Sequence, residues 1–272
     1  MSSASSLVDR VVIVTGGSRG IGREIVLALA EAGARVAIVA TAESAHLEQT
    51  VKAAGGGERI LPIIGDVRRQ ADCERVAQET LRTFGAIHVL FNNAALGTPT
   101  VVDSAKRSPV PFWQAEPESW LNLIDTNING FFLMSRAVAA TMLTQRFGKI
   151  VNISTSDRTM VRAKGSPYGP SKAFIEAASR IWAQDLEGTG VSVNVLLPGG
   201  AIDTSPSMVV GSSGGNFLPV SIMRAPALWL ASDLANGHTA ERFIAKKWDE
   251  KLPLEARVAA ARDSTGELPR VM

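Results

Sequence analysis

Short runs of aliphatic and β-branched residues alternate with amphipathic stretches along most of the chain. Residues 10–15, Arg-Val-Val-Ile-Val-Thr, are apolar at successive positions, as a strand buried on both faces requires. Residues 23–32 then place Ile25, Leu27 and Leu29 at helical spacing. Strands are predicted again at 35–41, 60–64 and 87–91, with helices at 42–54 and 72–84 that end in Gly55-Gly56-Gly57 and Gly85. Between 96 and 117 the pattern fails, and Pro99, Pro109, Pro111 and Pro117 predict a long loop. The longest helical pattern, 118–143, precedes a strand at 148–153, a polar connection at 155–164 and a helix at 167–186. A sixth strand at 191–197, a short helix at 225–232 and a seventh strand within 242–248 complete the pattern. Regular alternation of this kind implies an α/β fold: a doubly wound parallel sheet of about seven strands with helices on both faces. No linker separates two cores, so 1–272 reads as one domain. Residues 1–8 read as a flexible lead-in, 203–224 as a flap over a substrate, and 250–272 as a C-terminal extension.

Composition narrows the function. With 46% hydrophobic residues a large core is available. A net charge of +2 argues against nucleic acid or an anionic membrane as partner. No apolar run is long enough to span a membrane. The single Cys73 cannot form an internal disulfide, and the first residues lack the pattern of a signal peptide, so a cytoplasmic location is expected. His46, His88 and His238 show no ligand spacing, and no metal site is read.

Two stretches carry candidate chemistry. The first is Gly16-Gly17-Ser18-Arg19-Gly20-Ile21-Gly22, between a strand and a helix. Glycines there allow a tight turn and close approach of a pyrophosphate, which the N–H groups of the helix start would bind. This is the dinucleotide-binding arrangement of a Rossmann fold. At the end of the second strand an acid would select NAD. The chain has Ala40-Thr41 there, with Glu43 two residues later, and Arg19 in the loop could pair with a 2′-phosphate. NADP is therefore expected over NAD. The second stretch is Tyr168-Gly169-Pro170-Ser171-Lys172. On a helix Tyr168 and Lys172 share a face, and the lysine charge is expected to lower the phenol's pKa for proton transfer.

Together these residues resemble the short-chain dehydrogenase/reductase family. Residues 15–22 resemble its TGxxxGxG loop, and Asn92-Asn93-Ala94-Ala95 its NNAG segment with alanine in the last place. Asn127 matches the helix asparagine, Tyr168 and Lys172 match YxxxK, and Pro198-Gly199 with Ile202-Asp203-Thr204 resembles the PG…IxT segment. Thr155, flanked by Ser154 and Ser156, stands where the family usually has serine.

The resemblance implies an oxidoreductase acting on a ketone or secondary alcohol. Tyr168 would be acid or base, Lys172 would bind the nicotinamide ribose, Thr155 would orient the substrate oxygen and Asn127 would hold a relay water. Asp66 and Val67 would contact the adenine, with Asn93 and Ala94 on the adenosine side. Pro198, Gly199, Ile202 and Thr204 would line the nicotinamide. Small-molecule substrates and a homodimer or homotetramer are implied. A cofactor-binding sensor without turnover is the alternative from another class.

Overall fold

The computed structural model describes residues 7–97, 102–103, 108–202 and 217–263. Seven parallel strands form the central sheet: β1 (Val11–Thr15), β2 (Arg35–Ala40), β3 (Ile60–Ile64), β4 (Val89–Asn92), β5 (Gly148–Ile153), β6 (Val191–Leu197) and β7 (Arg242–Ile244). Their spatial order is 3-2-1-4-5-6-7. The order reverses between β1 and β4, which opens a crevice at the carboxyl ends of those strands.

All five residues of β1 are buried, and the pleat divides them. Val12 and Val14 join one core layer with Ile25 and Leu29 of α1 (Gly20–Glu31) and with Ala227 and Leu230 of α8 (Arg224–Ala231). Val11 and Ile13 join the opposite layer with Val76 of α3 (Gln70–Phe84) and Met134 and Val138 of α5 (Gly130–Gln145). A continuous apolar run therefore serves both faces of one central strand. Helix α2 (Ala45–Ala53) starts at Ser44, whose side chain accepts from Leu47 N, and α3 stops at Gly85 with φ +80°.

Several boundaries differ from the sequence pattern. The predicted helix over 118–143 is α4 (Pro117–Ile124) and α5 joined by a π turn, Asp125–Asn129, that contains Asn127. Inside the polar connection lies a short helix, α6 (Asp157–Met160), before α7 (Tyr168–Asp185). The seventh strand ends at Ile244, where Lys246 N turns back to donate to Pro198 O. The loop after residue 95 contains a two-residue antiparallel ladder, Val102–Asp103 with Ser108–Pro109.

The segments read as mobile are partly anchored. Leu7 lies inside the expected lead-in, yet it is buried and donates its N–H to Ala32 O. Met223, at the end of the expected flap, is fully buried. In the C-terminal extension, α9 (Leu254–Ala261) packs Val258 and Ala261 into the core, and Arg262 bridges to Phe243 of β7.

Candidate active site

The crevice has two ends: a phosphate end, named for a glycine loop suited to a phosphate, and a proton-transfer end, named for a tyrosine–lysine pair suited to proton transfer. At the first, Gly16 turns the chain out of β1 with φ +63°, a conformation that L side chains rarely adopt. Helix α1 begins after Arg19, whose side chain makes no cap, so its first N–H groups lack a side-chain acceptor. A Cβ on Gly22 would lie 2.2 Å from Gly16 O and 2.5 Å from Asn93 Nδ2. Only glycine permits this closeness, which packs the loop tightly against Gly16 and Asn93 and leaves backbone N–H groups at the helix start for an anion such as a pyrophosphate. Ser18 offers its carbonyl to Thr50 Oγ1 at 2.8 Å, and Ile21 packs against the core.

Asn93 and Ala94 act on this loop rather than beside it. Asn93 Nδ2 donates to Thr15 O at 2.9 Å and to Gly16 O at 3.0 Å. Thr15 Oγ1 accepts from Asn93 N and Ala94 N, both at 3.0 Å, and donates to Phe91 O. Sequence reasoning missed Thr15 as a clamp. Its place at the end of a buried strand and at the head of the TGxxxGxG match was the signal, because a hydroxyl there must find buried partners.

Along the crevice, Arg19, Thr41 and Glu43 are exposed, and among the described residues Arg19 and Glu43 form no ion pair. Asp66 does. Arg68 Nε lies 2.9 Å from both of its oxygens, and the guanidinium also reaches Asn122 on α4. This pair holds the Asp66 carboxyl below its usual range. Val67 is buried against Gly130, where a Cβ would come within 2.6 Å of Val67 Cγ2. Beyond β6, Gly199 has φ +88°, and Ile202 is buried in the core while its backbone bridges to Leu218. Thr204 lies outside the described residues.

At the other end, the structure brings Asn127, Thr155, Tyr168 and Lys172 together. Tyr168 is the first residue of α7, and its phenol is hydrogen-bonded to the Thr155 side chain. Of the neighbouring hydroxyls, Ser154 Oγ donates to Glu176 Oε1 at 2.6 Å and Ser156 Oγ pairs with Thr159. Thr155 is thus the member of this trio turned to the phenol. Asn127 Oδ1 accepts from Leu96 N at 2.8 Å, and Nδ2 donates to Leu96 O and to Ser171 Oγ. Ser171 Oγ in turn donates to Tyr168 O at 2.7 Å, which links the π turn to the start of α7.

Lys172 is buried, and its Nζ donates to Ile153 O at 2.8 Å. Loss of water around the ammonium brings its pKa down to about 8, against the opposing pull of Glu176. One expectation fails here. The phenol of Tyr168 is raised rather than lowered, because burial outweighs the Thr155 hydrogen bond and the charge of Arg162. Lys172 stands 5.9 Å from the ring centroid and spends its hydrogen bond on Ile153, so it does not offset that burial.

Beneath these groups runs a buried polar chain. Ser135 of α5, Asn92 of β4, Asn152 of β5 and Ser179 of α7 are joined at 2.8–2.9 Å. Sequence reasoning also missed Glu176 and Arg242. Glu176 stands four residues after Lys172 on the same face of α7, an acid at helical spacing from a base, which was a legible signal; Arg242 carried none.

A nucleotide crevice with a tyrosine–lysine pair at its far end defines a dinucleotide-dependent oxidoreductase. The sequence model described as short chain dehydrogenase matches residues 10–212, and the chain belongs to that family. A short-chain type dehydrogenase/reductase of Picea abies is 34% identical over 200 residues, 71% of each chain. An NADPH-dependent aldehyde reductase 2 (chloroplastic) of Arabidopsis thaliana is 33% identical over 73% of this chain and 76% of its own. A 3-oxoacyl-[acyl-carrier-protein] reductase of Synechocystis is 34% identical over 72% and 75%. A crystal structure of the short-chain alcohol dehydrogenase type from Sinorhizobium meliloti superposes with a TM-score of 0.76 at 27% identity, covering 88% of this chain and 96% of that one. The protein is therefore an NAD(P)-dependent oxidoreductase of the short-chain kind.

Proposed function

We propose that the protein reduces a ketone or aldehyde with NADPH, and that Tyr168, Lys172, Thr155 and Asn127 form its proton-transfer centre. The observation that carries this reading is a phenol hydrogen-bonded to Thr155 at the other end of the crevice from a tightly packed glycine loop. Bound NADPH would supply a hydride to the carbonyl carbon. Tyr168 Oη gives its proton to the carbonyl oxygen, and the Thr155 hydroxyl orients that oxygen by donating a hydrogen bond. Lys172 binds the nicotinamide ribose. Asn127, tied to Leu96 and Ser171, fixes the loop after β4 against α7 and keeps the tyrosine in place.

Three features support NADP over NAD: Arg19 is exposed and without an ion pair among the described residues, Thr41 is free to donate, and the second strand ends without an acid. One similar protein is described as NADPH-dependent. The buried Ile202 anchors the strand-6 loop, and we assign Pro198, Gly199 and Thr204 to the nicotinamide side. Asp66 and Val67 take the adenine side, with the Asp66 carboxylate already engaged by Arg68.

Assembly belongs to the same reading. Leu121 of α4, Phe132 of α5 and Phe174 and Ile181 of α7 are exposed apolar side chains on three helices. We infer a homodimer or homotetramer through these faces, which sedimentation at micromolar concentration tests. Among the described residues no helix is long and apolar enough to cross a membrane. A cytoplasmic location remains part of the proposal.

The deciding experiment is a carbonyl panel of β-ketoacyl thioesters, keto sugars, steroids, quinones and aldehydes, followed by NADPH absorbance. Turnover of at least one class at the wild-type site is expected. NADPH bound without oxidation across the panel would instead favour a sensor.

A further inference from the structure

Tyr168, Lys172 and Glu176 stand at successive four-residue intervals on α7, so the third lies one turn below the second. Glu176 is only 8% exposed. Ser154 Oγ donates to its Oε1 at 2.6 Å, and Arg242 Nε reaches its two oxygens at 3.0 and 3.1 Å. The same guanidinium donates to Thr155 O at 3.2 Å, to Asp157 Oδ1 at 2.6 Å and to Asp263 Oδ2. One arginine at the start of β7 thus joins α7, the segment that carries Thr155, α6 and the chain after α9.

As a device for stability alone this is a poor arrangement, since apolar residues of similar volume do as well or better than a buried ion pair. Its location suggests another use. Signs alternate from the reacting centre outward: Lys172, Glu176, Arg242, then Asp157 and Asp263. Around Lys172, Glu176 is the charged group on its own helix. The other walls of its small pocket offer Asn92, Asn127 and Thr15, all neutral.

We propose that Glu176 and Arg242 are positioning residues of the proton-transfer centre: Glu176 supplies the counter-charge for Lys172, and Arg242 fixes that carboxylate and the Thr155 backbone in one clamp. The proposal rests on the reading of Tyr168, Lys172 and Thr155 as the reacting group and its two partners. It makes the C-terminal segment, through Asp263, part of the architecture of the centre. Burial disfavours the charged ammonium, and Glu176 is the charge that opposes this.

Glu176→Gln keeps an acceptor for Ser154 and nearly the same shape but removes the charge. The Lys172 pKa, read by lysine NMR in the protein without cofactor and assigned by loss of the signal in Lys172→Met, should fall by about one unit, a roughly tenfold change in the ratio of charged to neutral amine. In the reaction, kcat near pH 8 should fall about fivefold, as the charged fraction does, with KM for the carbonyl compound unchanged, and Glu176→Asp should recover most of it. Arg242→Lys keeps the charge but cannot bridge all its partners, and should lower kcat several-fold while leaving the Lys172 titration close to wild type. An unchanged Lys172 pKa in folded Glu176→Gln overturns the proposal whatever the activity. Should that variant not fold, wild-type kcat and pH profile in both Glu176→Asp and Arg242→Lys overturn it. A wild type that reduces no carbonyl compound would instead remove the reading of the reacting groups, and the NMR titration would still decide the role of Glu176.

Discussion

The two ends of the crevice are built from different materials. At the phosphate end the supports are neutral: glycines, the Thr15 hydroxyl and the Asn93 amide, all bonded to backbone. At the proton-transfer end they are charged: Lys172 and Glu176, both buried, and the half-buried Arg242. A permanently charged pyrophosphate needs a fixed cradle of dipoles, which backbone N–H groups of such a loop would supply, and the one charged side chain within the glycine stretch, Arg19, is exposed. Proton transfer needs groups whose charge can change, and a low-dielectric setting with paired charges provides them. Substitutions should therefore act differently at the two ends: on cofactor affinity at one, on rate and pH dependence at the other.

The largest effect is expected at Tyr168. Tyr168→Phe should lower kcat by roughly 10²–10⁴-fold, the range for a lost general acid, and leave the NADPH dissociation constant within about twofold. Single-turnover NADPH oxidation and a fluorescence titration separate the two. Retained activity would return the acid to another group and erase the contrast.

Arg19→Ala comes next and belongs to the other end. A charge-assisted hydrogen bond contributes about 1.5–3 kcal/mol, so the NADPH-to-NADH ratio of kcat/KM should drop roughly tenfold to hundredfold. Equal weakening of both cofactors would mean that Arg19 does not read the 2′-phosphate.

Gly22→Ala tests the neutral cradle itself. A methyl group 2.2 Å from Gly16 O forces the loop to move, with an expected destabilisation of about 1–3 kcal/mol and weaker cofactor binding. Thermal melting with and without NADPH measures both. An alanine variant with wild-type affinity and stability would show that the loop is not the tight support described.

The smallest and most specific effect concerns the phenol. Tyr168 is the only tyrosine in the chain, so tyrosinate absorbance reports its ionisation alone. The folded value lies above that of a free phenol because of burial, and Thr155 lowers it through a hydrogen bond. Removing the hydroxyl in Thr155→Ala should therefore move the titration to still higher pH, while Thr155→Ser leaves it near wild type. The sign follows from the tyrosinate being the form that a donated hydrogen bond favours. A shift to lower pH in the alanine variant would contradict the geometry.

Much of this was legible in the chain itself. Continuous apolar runs such as Val11–Thr15 announce buried parallel strands, because a strand covered on both faces has no polar side to show. The glycine loop and the Tyr168–Lys172 spacing mark the two ends of the crevice, since both depend on local geometry: a turn that only glycine allows and a four-residue helical repeat. What the chain could not state is anything that depends on burial or on partners distant in sequence. The raised phenol pKa is one example, as it reflects how much water the fold removes from Tyr168. The commitment of Asp66 to Arg68 and Asn122 is another. Arg242 is the clearest case. As the first residue of a short strand it carries no local signal, and only the docking of β7 beside β6 brings it to Glu176 and Thr155, 66 and 87 residues away in the chain. Local sequence thus determined the elements and the reacting side chains, because helical and strand periods are short-range properties. Tertiary structure alone decided which charges meet inside the protein, because desolvation and ion pairing depend on neighbours that only the folded chain brings together.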